Sequence, residues 1–184
     1  MTRATVEPST RGRRHRVVGS PVGPLTLVVD GSDRLVGLYL DAQRHRPGDA
    51  EFGEPDDTAA AEAARQLEEY FDGRRARFEL DLAPRGTAFQ QRVWEALAHI
   101  PSGSTTTYGE LAASLGLAPG ASRAVGAAVG RNPIGIVVPC HRVIGRDGTL
   151  TGYAGGLDRK RWLLEHEGAL GDADDGQPAL PSAQ

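Results

Sequence analysis

One cysteine in 184 residues, Cys140, narrows the ways in which this chain can hold itself together. No intramolecular disulfide and no multi-cysteine zinc site can staple it. The fold must therefore rest on a hydrophobic core, which this length can bury as one domain or two small ones. The cysteine stands in the run Ile136-Val137-Val138-Pro139-Cys140-His141-Arg142-Val143, an apolar, strand-like stretch with an imidazole next to the sulfur. A lone cysteine is ordinarily a small buried hydrophobe. A histidine beside it makes this one a candidate nucleophile.

Composition excludes several classes. The chain is 39% hydrophobic and 24% charged, with no apolar stretch near the roughly 18 residues of a membrane span. Its start, Met1 to Arg16, is Arg-rich but has no apolar signal-peptide core behind it. These features predict a cytoplasmic protein, in a reducing compartment where a free thiol persists. The net charge of −3 hides an asymmetry. Residues 1–84 hold 12 basic and 15 acidic side chains, residues 85–168 hold 9 and 6, and the last 16 residues add three aspartates. The basic excess lies with the cysteine, and it is small enough that phosphate attraction should be thinly spread.

The front half reads as a small α+β unit. Val17-Val18, Leu25 to Asp30 and Leu35 to Leu40 are short apolar runs, with a turn at Asp30-Gly31-Ser32-Asp33. Gln43 to Asp57 is polar and predicts an exposed loop. Thr58 to Phe71 has helical spacing, with Ala61, Ala64, Leu67 and Phe71 on one face and Gly73 as a stop. Phe78 to Leu82 alternates like a half-buried strand, and Pro84-Arg85-Gly86 marks a junction.

In the back half, Phe89 to Ile100 is amphipathic, and Thr107-Tyr108-Gly109-Glu110 fits a capping box. The helix it opens runs through Leu115 to a Gly/Pro turn at 116–120, and a second helix spans about 121–129. Helix, tight turn, helix is a helix-turn-helix pattern, although a plain αα-corner looks the same. The second helix carries Ala121, Ser122, Ala124, Gly126, Ala127 and Ala128, with Arg123 its only large charged residue. Small side chains suit close helix packing. They also suit a minor groove only about 6 Å wide, which one long Arg can probe.

Taken together, Pro139-Cys140-His141-Arg142-Val143, Ser122-Arg123-Ala124-Val125-Gly126, Arg131-Asn132-Pro133, Tyr108, Thr151-Gly152-Tyr153-Ala154-Gly155-Gly156 and Leu163 to Gly168 resemble the O6-alkylguanine-DNA alkyltransferase family. Order and spacing agree from Arg85 to Gly168, and Ser20 to Leu25 agrees more loosely. The resemblance implies an α/β (α+β) protein: a ribonuclease-H-like sheet-plus-helix domain over 1–84, serving mainly as scaffold, then a winged helix-turn-helix domain over 85–168. Residues 1–14 and 169–184 are expected to be disordered.

The implied reaction is direct reversal of damage in double-stranded DNA. An alkyl group leaves O6 of guanine, with O4 of thymine a second target, and enters Cys140 in a single turnover without cofactor. The resemblance assigns Cys140 as alkyl acceptor, His141 and Glu167 as its proton relay through a water, and Asn132 as the residue that holds the turn. Such an attack wants a thiolate, whose pKa cationic or hydrogen-bonding neighbours lower from about 8.5 to roughly 3.5–7.5.

Arg123 would fill the base stack where the nucleotide flips out, and Tyr108 would rotate it and protonate guanine N3. Ser122, Ala124 and Gly126 lie on the reading helix, and Arg146 and Gln90 are candidate backbone contacts. Tyr153, Ala154, Gly135 and Val143 would form the base pocket. Ala154 stands where some members carry Ser, and Gly135 where some carry Pro, so Gly135 is expected to open the pocket to bulkier groups. Arg131 and Arg142 read as surface or structural. The His and Cys spacing offers no metal site. The protein is expected to be a monomer, with room for cooperative assembly on DNA. The competing classes are a non-catalytic damage sensor, which would replace the cysteine, a transcription regulator, and a cysteine hydrolase, which would turn over.

Overall fold

The computed structural model describes residues 12–170. The disorder expected for 1–14 and 169–184 lies mostly outside that range. Where it can be compared it does not hold: Arg14 opens a strand paired with Val29, and Ala169 N–H donates to Leu164 O at 2.8 Å.

Strands β1 (Arg14–Val18), β2 (Leu25–Val29) and β3 (Leu35–Leu40) form an antiparallel meander. A short β4 (Glu54–Pro55) adds parallel to the far edge of β1. The β2–β3 turn is held by Asp30 Oδ1, which accepts from the N–H groups of Ser32 and Arg34 at 2.9 and 3.1 Å. Both faces of β2 and β3 are buried. Leu25, Leu27, Leu38 and Leu40 join the main core, while Val28, Val36 and Tyr39 form a second cluster with Phe52. The segment 43–57 is thus not simply an exposed loop. Phe52 is 2% exposed, stacks on Tyr39 at 5.4 Å and lies under the Arg46 guanidinium, because the outer sheet face needs a cover.

Helix α1 (Ala61–Phe71) buries Ala63, Gln66, Leu67 and Tyr70, a face turned about one residue from the expected Ala61/Ala64/Phe71 stripe. Gln66 explains why Phe78–Leu82 is not a strand. Its side chain donates to Glu79 O and accepts from Glu79 N–H, both at 2.8 Å, so the backbone there is paired with a side chain. Only a bridge between Leu35 and Leu82 remains. The free edge of β3 is taken further along by the back half, through Leu38 N–H to Pro133 O at 2.8 Å and Gly135 N–H to Leu38 O at 3.2 Å.

The back half contains α2 (Ala88–Ala98), β5 (Thr106–Thr107), α3 (Tyr108–Ser114), α4 (Ser122–Val129), β6 (Val143–Ile144) and α5 (Leu157–His166). The capping box at Thr107 forms as the sequence predicts, with Glu110 N–H to Thr107 Oγ1 at 3.1 Å and Thr107 N–H to Glu110 Oε2 at 2.7 Å. Thr87 and Gln90 make a second box that starts α2. Helices α3 and α4 form the helix-turn-helix, α2 packs on α4, and β5 pairs with β6 beside the wing turn. Trp94 locks α2 to α4 by donating to Ala128 O at 2.9 Å. One apolar cluster runs from Leu25 and Tyr70 through Trp94 and Val125 to Leu163, so both halves share a core.

The run 136–142 is not a strand; only Val143 enters one, at the start of β6. Val137 N–H bonds to Gly135 O, Val138 N–H to Ile134 O, and Cys140 to Arg142 form a 3₁₀ turn. Ile136 adopts a left-handed φ of 69°. A fully buried segment with no free neighbouring strand satisfies its backbone by folding on itself.

Gly126 sits inside α4, and a Cβ there would meet the Tyr108 ring at 3.6 Å, an ordinary contact. Nothing steric in the unliganded fold requires glycine. Gly126→Ala is expected to raise stability by about 0.5–1 kcal/mol, read as a higher thermal midpoint. A lower midpoint would mean that α4 tolerates no side chain against Tyr108.

Candidate active site

Cys140 is held by a folded turn that Asn132 closes. The Asn132 amide donates to Val138 O at 2.8 Å, and its Oδ1 accepts from Ile134 N–H at 3.0 Å. One side chain therefore ties both arms of the 132–140 turn, at 7% exposure. Cys140 is itself 7% exposed. Burial pushes its thiol pKa up, and a hydrogen bond from Asn132 and the Lys160 charge only partly oppose that. The resting sulfur is a thiol at neutral pH. A lowered pKa, expected from the sequence, is absent in the resting state because desolvation outweighs the neighbours.

The 3₁₀ turn aims His141 and Arg142 at one carboxylate, Glu167, just past α5. His141 Nε2 lies 3.0 Å from Glu167 Oε1. Arg142 donates from Nε to Oε2 and from Nη2 to Oε1, both at 2.8 Å. The hydroxyl of Tyr70, from α1 in the other half of the chain, donates to Oε1 at 2.8 Å. Burial alone would raise the Glu167 pKa, but the bonds from His141 and Arg142 outweigh it and hold the carboxyl at about 2.

An ionised carboxylate only accepts, so His141 carries its proton on Nε2. Nδ1 is left as a buried lone pair with no partner among the described residues. Burial also lowers the His141 pKa, only partly offset by Glu167, so the ring is neutral. This is the protonation state a general base needs.

Sequence reasoning missed Tyr70, and it read Arg142 as surface or structural. Arg142 is 6% exposed and bound to the Glu167 carboxylate. It also missed Lys160, the only lysine of the chain. Lys160 is fully buried, and its ammonium donates to Val143 O and Thr151 O at 2.5 and 2.6 Å. Burial lowers its pKa to about 8, with the Cys140 charge acting in the opposite direction. The signal was present: a chain that uses arginine at every other cationic position places its single lysine in the core.

Tyr108, Ser122, Arg123, Gly126, Tyr153 and Ala154 line a cavity of about 990 Å³, and the buried Cys140 is not itself part of the lining. Tyr108 donates to Thr151 O or Gly152 O at 3.3–3.4 Å, and burial raises its pKa, so it stays a phenol. Gly152, at φ 57°, passes so close that a Cβ would stand 3.0 Å from the Tyr108 hydroxyl. The Tyr153 hydroxyl is buried without a partner among the described residues.

Other predicted residues fall elsewhere. Gly135 is buried at the seam with β3, Val143 is fully buried, and neither lines the cavity. Ala124 is exposed on α4 outside the lining, and Arg146 is exposed on the wing turn. Gln90 lines a smaller neighbouring cavity. Among the described residues no three His, Cys, Asp or Glu side chains cluster to hold a metal ion.

The Glu167 carboxyl, at about 2 against an ordinary 4.5, contributes stability in full above pH 4.5 and loses it as pH falls toward 2. Glu167→Gln is expected to flatten the fall of stability between pH 4.5 and 2 in denaturant titrations. An unchanged pH slope would contradict this assignment.

The sequence model described as the 6-O-methylguanine DNA methyltransferase ribonuclease-like domain matches residues 14–84, and the one described as the DNA-binding domain of the same enzyme matches residues 88–169. The methylated-DNA–protein-cysteine methyltransferase of Mycobacterium tuberculosis is 52% identical over 160 residues, 87% of this chain and 95% of the relative. That of Salmonella typhimurium is 48% identical over 162 residues, 83% and 94%. A crystal structure of the M. tuberculosis O6-methylguanine methyltransferase superimposes with a TM-score of 0.78 at 50% identity, over 88% of this chain and 96% of that one. The M. tuberculosis OGT in complex with DNA gives 0.78 at 51%, over 85% and 93%. By both halves of its sequence and by its fold, the chain belongs to the 6-O-methylguanine DNA methyltransferase family.

Proposed function

We propose that this chain repairs alkylated DNA by moving the alkyl group from O6 of guanine to Cys140 irreversibly, once per molecule. The observation that carries the reading is the chain of contacts behind the sulfur. A neutral, buried His141, its tautomer set by Glu167, follows the buried Cys140 in the chain, and the same half of the molecule carries a cavity walled by α3, α4 and the 151–156 loop.

DNA binds through the helix-turn-helix, with α4 in the minor groove. Its small residues let the backbone approach, while Arg123 takes the place of the departing nucleotide. O6 lies inside the paired duplex, so the damaged nucleotide must be flipped out, at a cost of a few kcal/mol that weakened pairing reduces. The cavity receives it, with Tyr153 stacking on the base. The sulfur then attacks the alkyl carbon. The S–C bond forms as the C–O6 bond breaks, and the thiol proton passes through a water to His141 Nδ1. Tyr108, held as a phenol, donates a proton to guanine N3 as electron density returns to the ring. That proton moves from N3 to N1 through solvent, and the proton taken up by His141 returns through water to the Tyr108 oxygen. The products are a thioether and an unmodified guanine.

Insertion of the substrate also answers the raised thiol pKa. In the resting protein the sulfur is protected as a thiol, and the proton leaves only when an electrophile is in place. A thioether is chemically inert and no second cysteine can accept the group, so the protein is consumed. The reaction needs no cofactor. No helix among the described residues is long and apolar enough to cross a membrane, and we place the protein in the cytoplasm, acting as a monomer.

The test is intact mass after mixing the protein with a duplex containing O6-methylguanine. One methylene is expected per molecule, located on Cys140 and absent from Cys140→Ala. Tight binding to the damaged duplex with no mass gain would instead make the protein a sensor.

A further inference from the structure

The cavity wall is not made by the back half alone. Arg44 and His45, from the loop after β3, line it opposite Arg123 and Tyr108. A second cavity of about 250 Å³ shares Arg44, His45, Gly130 and Arg131 with the first, and adds Arg85 and Gln90. The two therefore adjoin at the junction between the halves. Its cationic side chains are Arg123, Arg131, Arg44 and Arg85, with no Asp or Glu in either lining. All four arginines are exposed. None makes a side-chain hydrogen bond or ion pair to another described residue, whereas seven others, such as Arg14, Arg34 and Arg46, are paired with carboxylates.

The loop that carries Arg44 is built into this wall. Arg44 N–H donates to Ala154 O at 2.9 Å. Arg159 bonds Asp41 O at 2.8 Å and Gly155 O at 3.3 Å, which staples the loop to the 151–156 segment. The Gln43 side chain accepts from Leu40 N–H at 2.7 Å, and His45 turns the chain at a left-handed φ of 65°. The backbone under Arg44 is thus fixed while its guanidinium is left without a partner. Unpaired, exposed arginines around adjoining depressions, one of them on a fixed backbone, suit a polyanion, since each can bind a phosphate bidentately.

We propose that the N-terminal half takes part directly in DNA binding: Arg44 and Arg85, with Arg131, form a phosphate track that runs from the mouth of the base cavity across the junction and carries the DNA backbone beside the extruded nucleotide. This rests on the DNA-repair reading above and extends its footprint beyond the helix-turn-helix. It changes the part played by the acidic front half, whose net charge of −3 would otherwise repel the duplex. The track offsets that repulsion locally, at the one place where the front half meets the cavity.

The test is the salt dependence of binding to an undamaged duplex, followed by fluorescence anisotropy on the full chain. Each lost phosphate contact lowers the slope of log K against log salt by about 0.9. Arg44→Ala should lower it by about 0.9 and Arg44→Ala/Arg85→Ala by about 1.8. Over a fourfold rise in salt, the double variant then loses roughly tenfold less affinity than the wild type does. Arg44→Lys should keep the slope. Arg77→Ala, which removes an exposed charge of the same half away from the track, should leave it unchanged.

An unchanged slope in the double variant would overturn the track, as would an equal fall in Arg77→Ala, which would reduce the effect to net charge. Thermal midpoints measured alongside separate loss of contact from loss of fold. A wild-type protein without salt-dependent DNA binding would instead overturn the repair reading itself.

Discussion

A single buried carboxylate organises this molecule. Glu167 accepts from Tyr70, His141 and twice from Arg142, and its side chain is 1% exposed. Taking one charge out of water is costly, and a buried ion persists only when its lone pairs are satisfied. Here the donors come from two separate segments, helix α1 and the cysteine turn, and the carboxylate itself stands at the end of a third, α5. Removing any donor leaves part of a buried charge unmatched. The electrostatic requirement is thus also a geometric one, and it sets the sulfur, the base and the front half in one arrangement.

That arrangement makes the front half more than a scaffold. Its β3 edge bonds the backbone at 133–135, and His166, stacked on Trp162, bonds to Tyr70 O at 2.7 Å. The loop at 41–46 is stapled to the segment that carries Tyr153. Cys140, His141 and the helix-turn-helix lie in the back half, yet their supports reach across the junction. A core shared by two halves lets distant residues hold a site rigidly, which loops alone do poorly.

Much of the site could be read from the sequence because its parts are local. The Thr107/Glu110 box, the small-residue helix with Arg123 and the Cys140-His141 pair each carry their signal within a few residues. The strand assigned to 136–143 failed because apolar runs do not reveal whether a neighbouring edge is available. The strand at 78–82 failed because Gln66, thirteen residues away, takes the backbone bonds. Tyr70 lies 97 positions from Glu167 in sequence, and no periodicity reports such a contact. Gly135 was placed in the base pocket by analogy with other sequences, and nothing local to it announced that its N–H donates to Leu38 O. Arg142 shows the same limit, since an arginine next to Cys140-His141 looks like surface until its carboxylate is found.

The claim on which all this depends is that Glu167 fixes His141 as a neutral ring with a free Nδ1. The ¹⁵N shifts and ring proton couplings of His141 in the DNA-free protein at pH 7 read that state directly. A neutral imidazole protonated on Nε2, changing in Glu167→Gln, is the predicted result. A ring protonated on Nδ1, or doubly protonated at pH 7, would leave no lone pair on Nδ1 to take the thiol proton and would contradict the account.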